Sequence, residues 1–585
     1  MAGQPTTASG EVERIDTDVL IVGGGAGGCF TAARLRAQAP ELRVTILEKA
    51  HVIRSGCLAG GISSINAYIT KGNTPESFLK YVRKDSHDLV RDDLVYSIAQ
   101  RLNEQVEFVE QWGLPLVKDE NGENVPRGRG SIKIRGERIK PILARAAEES
   151  GAQIINRVVA TNFLVDDGRV VGVTGFGVRD GKLYAITAKA VICATGGASG
   201  IYRSTSSGLG RHKVWYSPFN AGAGYAMGLR AGAEMTTFEF RFIALRVKDF
   251  LAPTGVLAQG LGAKQVNARG ENYLEKYHSH LSGGKPTTAE RLQATIEEHR
   301  AGRGPCYMDT SKFSAEDLKF MKVSYLDMVP SVLCMWGDRK LDPSKNSIEI
   351  TGSEPYVQGG HGEAGYWIDI ERRTTLPGLW AIGDVAGGAP KKYASGAWAE
   401  GQMAIESILK EAPSWKDRAA ADDKALGAQI EAEKTRVFAP LGRRESAGGK
   451  GWEFAAPQEL EESLQKLMDE YAGGISVQYE TNEEKLQIAR AGLLELEDHL
   501  DRLSAGNLHE LMLAHEMVDR VLVARVLVEH MLHRKETRWP CYHTRLDHPA
   551  RDDANWRKFI NSRYDVGTGE IHLREVPYED FAVKA

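Results

Sequence analysis

A β-branched strand that runs into a glycine-rich turn and a helix, followed by a second strand closed by an acid, leaves a chain few choices of fold. Residues 17–50, TDVLIVGGGAGGCFTAARLRAQAPELRVTILEKA, carry that pattern. The first strand spans Val19 to Val22, the glycines Gly23, Gly25 and Gly28 stand at G-x-G-x-x-G spacing, and the second strand ends at Glu48, 20 residues after Gly28. Such glycines permit a tight turn and let a pyrophosphate approach backbone N–H groups at a helix N-terminus, while the acid reaches ribose hydroxyls. Gly23, Gly25, Ala26, Gly28, Glu48 and the adjoining Lys49 are therefore candidate dinucleotide ligands, against an alternative in which the glycines merely pack a helix on a sheet.

One such unit does not fill the chain. At 585 residues and 64.2 kDa, several domains are expected. A net charge of −4 offers no broad basic field for nucleic acid. The start, MAGQPTTASG, reads as a flexible tail without the features of a secretory signal, and no run of about 18 apolar residues occurs, so a cytoplasmic protein without a membrane span is expected. The six cysteines form no C-x-x-C pair, which argues against zinc or an iron–sulfur cluster within this chain. His509, His515, His530 and His533 contain no H-E-x-x-H and are not expected to bind metal.

Two distant segments bear on which dinucleotide is bound. AKAVICATGGASG (188–200) is a buried-strand pattern running into Ala194, Thr195 and Gly196, and LPGLWAIGDVAGG (376–388) is another running into Gly383 and Asp384. With the N-terminal fingerprint these resemble the FAD-binding flavoproteins, whose Gly-Asp aspartate binds the ribityl or phosphate portion. NAGAGYAMGLRAGAE (220–234) follows no β-branched strand and suits a packed helix better than a second nucleotide site.

The resemblance extends along nearly the whole chain to the fumarate reductase and succinate dehydrogenase superfamily, and within it to the alpha subunits of dissimilatory adenylylsulfate reductase. RSGCLAGGISSINAYI, WYSPFNAGAGYAMGLRAGAEMTTFEFRFIALRVKD, GRGPCYMDT, EPYVQGGHGEAGYWID and DDANWRKFINSRYD carry it. It implies Ser55, Gly56, Gly61 and Ser395 as further cofactor ligands. Covalent members place a histidine in the first loop, where Ser55 is here followed by Gly56 and Cys57, so noncovalent FAD is expected. Dicarboxylate reductases carry an Arg-Gly pair where Gln259 and Gly260 stand, so their substrate-activating arginine is missing. The adenylylsulfate reductase pattern matches Asn66, Arg246 and His361, a trio that would give hydrogen bonds and charge to a sulfur oxyanion beside the flavin. Read separately, Asn66 could cap a turn, Arg246 could pair with Asp249 or Glu239 at a surface, and His361 could be a satisfied loop histidine. As an ordinary histidine, His361 would titrate between about pH 6 and 8. The family's tryptophan is Phe219 here, which keeps a stacking surface and loses the indole N–H.

The resemblance implies an FAD-dependent oxidoreductase that interconverts adenylylsulfate with sulfite and AMP through flavin N5, or acts on a related oxyanion or organosulfur compound, with electrons from a ferredoxin-like iron–sulfur beta subunit. The alternatives are a dicarboxylate or enoate oxidoreductase and a flavin electron-transfer subunit without its own substrate. The expected fold is an α/β FAD-binding Rossmann-like domain with an inserted α+β capping domain and a C-terminal helical domain. The expected divisions are a tail at 1–11, the FAD domain at 12–245 and 346–412, the cap at 246–345, the helical domain at 413–538, where Leu493, Leu496, Leu500 and Leu503 recur at helical spacing, and a closing segment at 539–585.

Overall fold

The computed structural model describes residues 8–128, 130–204, 214, 216–250, 258, 261–277, 286–417, 422–446 and 454–583. Its centre is a seven-stranded sheet. The strand Val12–Val22 pairs in parallel with Val44–Glu48 on one side and with Leu183–Cys193 on the other, and Val44–Glu48 pairs in parallel with Gln153–Asn156. Parallel strands are covered on both faces, which is why the six residues Thr17–Val22 and all five of Val44–Glu48 are buried, with the continuous apolar run Val19–Val22 at the centre. The antiparallel hairpin Val158–Asp166 and Arg169–Gly177 extends the sheet at the far side.

On the edge away from Val12–Val22, the strand Leu183–Cys193 serves two neighbours. Leu183–Thr187 pairs with the hairpin, whereas Val191, Ile192 and Cys193 pair in parallel with Leu379, Trp380 and Ala381. A segment remote in sequence thus re-enters the nucleotide fold one strand away from Val12–Val22, across Leu183–Cys193, and carries Gly383 and Asp384 to the same sheet end as Gly23. The helix Ala26–Gln38 is clamped by the helix Tyr393–Glu411: Phe30 stacks on Trp398 at 5.8 Å, and a side chain at Gly401 would strike Thr31.

Between the two halves of this fold lies a four-stranded antiparallel sheet, ordered Leu245–Val247, Ile348–Gly352, Cys306–Asp309, Lys264–Val266. It takes in Ile348–Gly352, past the expected boundary at 345. The helix Thr288–Arg300 packs on it, whereas Ala315–Met328 reaches the strands Ile62–Ile65 and Ile132–Gly136; each helix is started by a reciprocal capping box, Thr287 with Glu290 and Ser314 with Asp317. Gln259 and Gly260 lie outside the described residues.

The C-terminal region packs the helices Pro457–Tyr471, Glu483–His499 and Leu508–His533. Leu493, Leu496 and Leu503 are buried, and Asn507 caps the last helix by accepting from the His509 and Glu510 N–H groups. The strands Lys558–Tyr564 and Ile571–Pro577 then fold back onto Met235–Thr236. A fully buried chain of ion pairs, Glu239 to Arg534 to Glu536 to Arg538, fastens this region to the nucleotide domain. Among the described residues no helix is long and apolar enough to cross a membrane, and no group of three or more His, Cys, Asp or Glu side chains could hold a metal ion.

Candidate active site

The glycine turn is built by close approach. Gly23 has φ +103°, and a Cβ on it would lie 2.5 Å from the Ala194 carbonyl oxygen. A Cβ on Gly28 would lie 2.0 Å from the Gly23 carbonyl oxygen. Gly25 differs: it caps the helix opened by Ala26, and a Cβ there would meet no atom within 4 Å. That open space at a helix N-terminus fits a diphosphate. Glu48 accepts from the Gly24 N–H at 2.8 Å and the Ala50 N–H at 2.7 Å, one on each carboxylate oxygen, which keeps a lone pair on each for a ribose hydroxyl. The Lys49 ammonium is turned elsewhere, to Glu516 at 2.5 Å and the Phe219 carbonyl at 3.0 Å, so it ties the loop to the helical region.

The next loop continues the same wall. Ser55 donates to the Gly24 carbonyl at 3.3 Å, and Gly56, at φ +70°, faces Gly25. Gly61, at φ +77°, touches the cap: a Cβ there would lie 2.3 Å from the Asp327 carbonyl oxygen. Cys57 is exposed, and residues 55–66 hold no histidine. Acid or heat denaturation is therefore expected to release all the yellow colour as free FAD; colour that stays on the precipitated chain would show a covalent link.

Tyr216 joins the two distant motifs. Its hydroxyl donates to Asp384 at 2.6 Å and accepts from the Gly197 N–H at 2.9 Å, beside Thr195, whose carbonyl accepts from Asn220, and Gly196 at φ +77°. Burial pushes the Asp384 pKa up. Gly383 donates its N–H to Glu400 at 2.7 Å, and Glu400 is ion-paired with the equally buried Lys392. Tyr216, Glu400 and Lys392 have no motif of their own, and only the fold reveals their place.

The backbone beside Asn66 and the ring of His361 both lie at the start of the helix Tyr393–Glu411. Asn66 follows the strand Ile62–Ile65, and Ser395, in the first turn of that helix, donates to the adjoining Ala67 carbonyl at 2.5 Å. The His361 ring lies 4.8 Å from the Phe242 ring and 4.6 Å from the Tyr393 ring. Lys391 and Tyr393 hold left-handed φ of 63° and 51°, a strain that packing must maintain. Arg246 stands four residues along from Phe242, at most about 14 Å of extended chain. Its partner is neither Asp249 nor Glu239: Asp249 faces Arg339, the fully buried Glu239 is taken by His530 and Arg534, and Arg246 pairs with Glu354 at 3.1 Å, both side chains being buried. Arg246 therefore offers hydrogen-bond direction, its charge already balanced by Glu354.

Burial and the nearby Lys391 ammonium hold the His361 pKa down at about 3, which corrects the expectation of titration near neutrality. Within the folded protein the ring stays neutral from about pH 5 to 8, so His361→Gln should lower the rate while leaving the shape of the pH profile over that range unchanged. Once unfolded, the same ring takes up a proton near its ordinary pKa of about 6.5. Its contribution to stability is lost as pH falls from about 6.5 towards 3, and urea midpoints at pH 7 and 5 should differ less in His361→Gln than in the parent.

Fold and site together define a flavoprotein. A family model described as FAD binding domain matches residues 18–397, and one described as Fumarate reductase flavoprotein C-term matches 461–585. Adenylylsulfate reductase subunit alpha of Megalodesulfovibrio gigas is 32% identical, with 96% of this chain and 95% of the relative covered. The chain belongs to the adenylylsulfate reductase alpha-subunit family, and its cofactor is FAD. The solved adenylylsulfate reductase of Archaeoglobus fulgidus superposes with a TM-score of 0.91 at 38% identity over 97% of this chain and 96% of that one. A structure of adenosine-5-phosphosulfate reductase with sulfite as a covalent adduct matches equally, with TM-score 0.91 and 38% identity over 97% and 96%. Escherichia coli quinol fumarate reductase shares the fold at TM-score 0.80 and 22% identity over 97% of each chain.

Proposed function

We propose that this chain is the flavoprotein subunit of a cytoplasmic enzyme that interconverts adenylylsulfate with sulfite and AMP, supplied with electrons by a separate iron–sulfur protein. The likeness over nearly its whole length to a reductase seen with bound sulfite carries the reading. Bound FAD would supply two-electron chemistry at N5. Asn66 would donate hydrogen bonds to the sulfur oxyanion, Arg246, steadied by Glu354, would aim its N–H groups at the same group, and neutral His361 would add one more. The Phe242 and Tyr393 rings would keep water from the His361 side of the site. The iron–sulfur partner is inferred from the relatives and from cysteines that are scattered: Cys29, Cys193, Cys306 and Cys541 are buried apart from one another in sequence, and Cys57 and Cys334 are exposed.

Sulfite titration of the flavin spectrum tests the reading. Bleaching by sulfite, modulated by AMP, is the expected result. A flavin unresponsive to sulfite, with reduced enzyme reoxidised by fumarate, would replace it with a dicarboxylate oxidoreductase.

A further inference from the structure

Asn66 has one torsional freedom that matters to a bound oxyanion: which end of its amide faces the site. The backbone on either side is already tied, since Ser131 donates to the Asn66 carbonyl at 3.4 Å and Ser395 to the Ala67 carbonyl at 2.5 Å. The amide is addressed by Ser64, two residues back on the strand Ile62–Ile65 and 3% exposed. Ser64 Oγ lies 2.8 Å from Asn66 Oδ1 and 2.8 Å from the Arg127 guanidinium, which also donates to Ser63 Oγ at 3.1 Å.

The direction of these bonds follows from the donor inventory. A guanidinium only donates, so Ser64 Oγ must accept from Arg127, which leaves its single hydrogen for Asn66. An amide that receives a hydrogen bond presents its oxygen, and Nδ2 is then turned away from Ser64. Burial lowers the Arg127 pKa only to about 10, so the guanidinium remains charged at neutral pH and this polarity is permanent.

We propose that Arg127 and Ser64 are positioning residues that lock the Asn66 amide with its oxygen held inward, so that Asn66 meets the flavin and its oxyanion substrate only as a donor. Without the lock, an amide that presented its oxygen would repel the substrate it is meant to hold. The lock affects chemistry through Asn66 alone, and so rests on Asn66 standing at the flavin as proposed above.

A double-mutant cycle on the FAD-loaded protein tests this, with sulfite affinity and the flavin midpoint potential as readouts. Ser64→Ala should weaken sulfite binding about 10-fold or more at unchanged FAD content, the loss of one charge-polarised hydrogen bond. Ser64→Thr, which keeps the hydroxyl on a strand that suits a β-branched residue, should restore it, and Arg127→Leu should resemble Ser64→Ala. In an Asn66→Ala background, Ser64→Ala should add less than about 2-fold. An equal effect of Ser64→Ala in both backgrounds, or none in either on both sulfite affinity and midpoint potential, overturns the lock. The midpoint potential carries the same cycle without sulfite. A Ser64-dependent shift that vanishes with Asn66→Ala supports the lock even in a protein that ignores sulfite, and in that case the adenylylsulfate reading alone fails.

Discussion

Arg246→Ala is expected to abolish turnover and, at the same time, to lower the unfolding free energy by about 3–5 kcal/mol, because the buried Glu354 carboxylate loses the guanidinium charge it is paired with. The two losses are separable. Replacing both residues, as Arg246→Met with Glu354→Leu, removes the stranded carboxylate and should recover most of the stability in urea denaturation while activity stays absent. Arg246→Lys should recover little of either, because a lysine cannot reproduce the planar fork that spans Glu354 and the Phe250 carbonyl and is proposed to meet the oxyanion. A stable double variant that still turns over adenylylsulfate would remove Arg246 from the site.

Gly28 and Gly25 should fail in different ways, and the contrast measures the cofactor loop. A methyl group at Gly28 collides with a backbone carbonyl at 2.0 Å, with no flexible side chain to give way, so Gly28→Ala should distort the turn, destabilise the domain and yield colourless protein. Gly25 has φ −71°, which any residue adopts, and open space before it. Gly25→Val should leave the circular dichroism and urea midpoint of the FAD-free protein unchanged and still abolish FAD binding, because the added atoms occupy the diphosphate's place. Full flavin content in Gly25→Val would show that the diphosphate lies elsewhere.

The glycine turn was legible because its constraints are local: a strand, three glycines and an acid fall within about 30 residues, and each is required by backbone geometry. The re-entry at Leu379–Ala381 was legible as an apolar run ending in Gly-Asp. What holds these motifs together was not. Tyr216 reaches Asp384 across 168 residues, and nothing near either residue announces the contact. The same is true of Arg246. Acids close in sequence offered themselves as partners, whereas the antiparallel pairing of Leu245–Val247 with Gly352–Ile350 brings up Glu354. His361 shows a third kind of limit, since its residue type promises titration near neutrality and only burial beside Lys391 removes it.

The double pairing of Leu183–Cys193 also sets a timetable for biogenesis. The strand's last three residues find their second neighbour at Leu379–Ala381, nearly 190 residues later, and Gly383 and Asp384 reach the sheet end that carries Gly23 only then. During synthesis at roughly 5–20 residues per second, the glycine turn waits many seconds with one wall absent. Until Leu379–Ala381 emerge, the nascent chain presents Val191–Cys193 as an uncovered apolar strand edge, the kind of surface that chaperones and proteases engage.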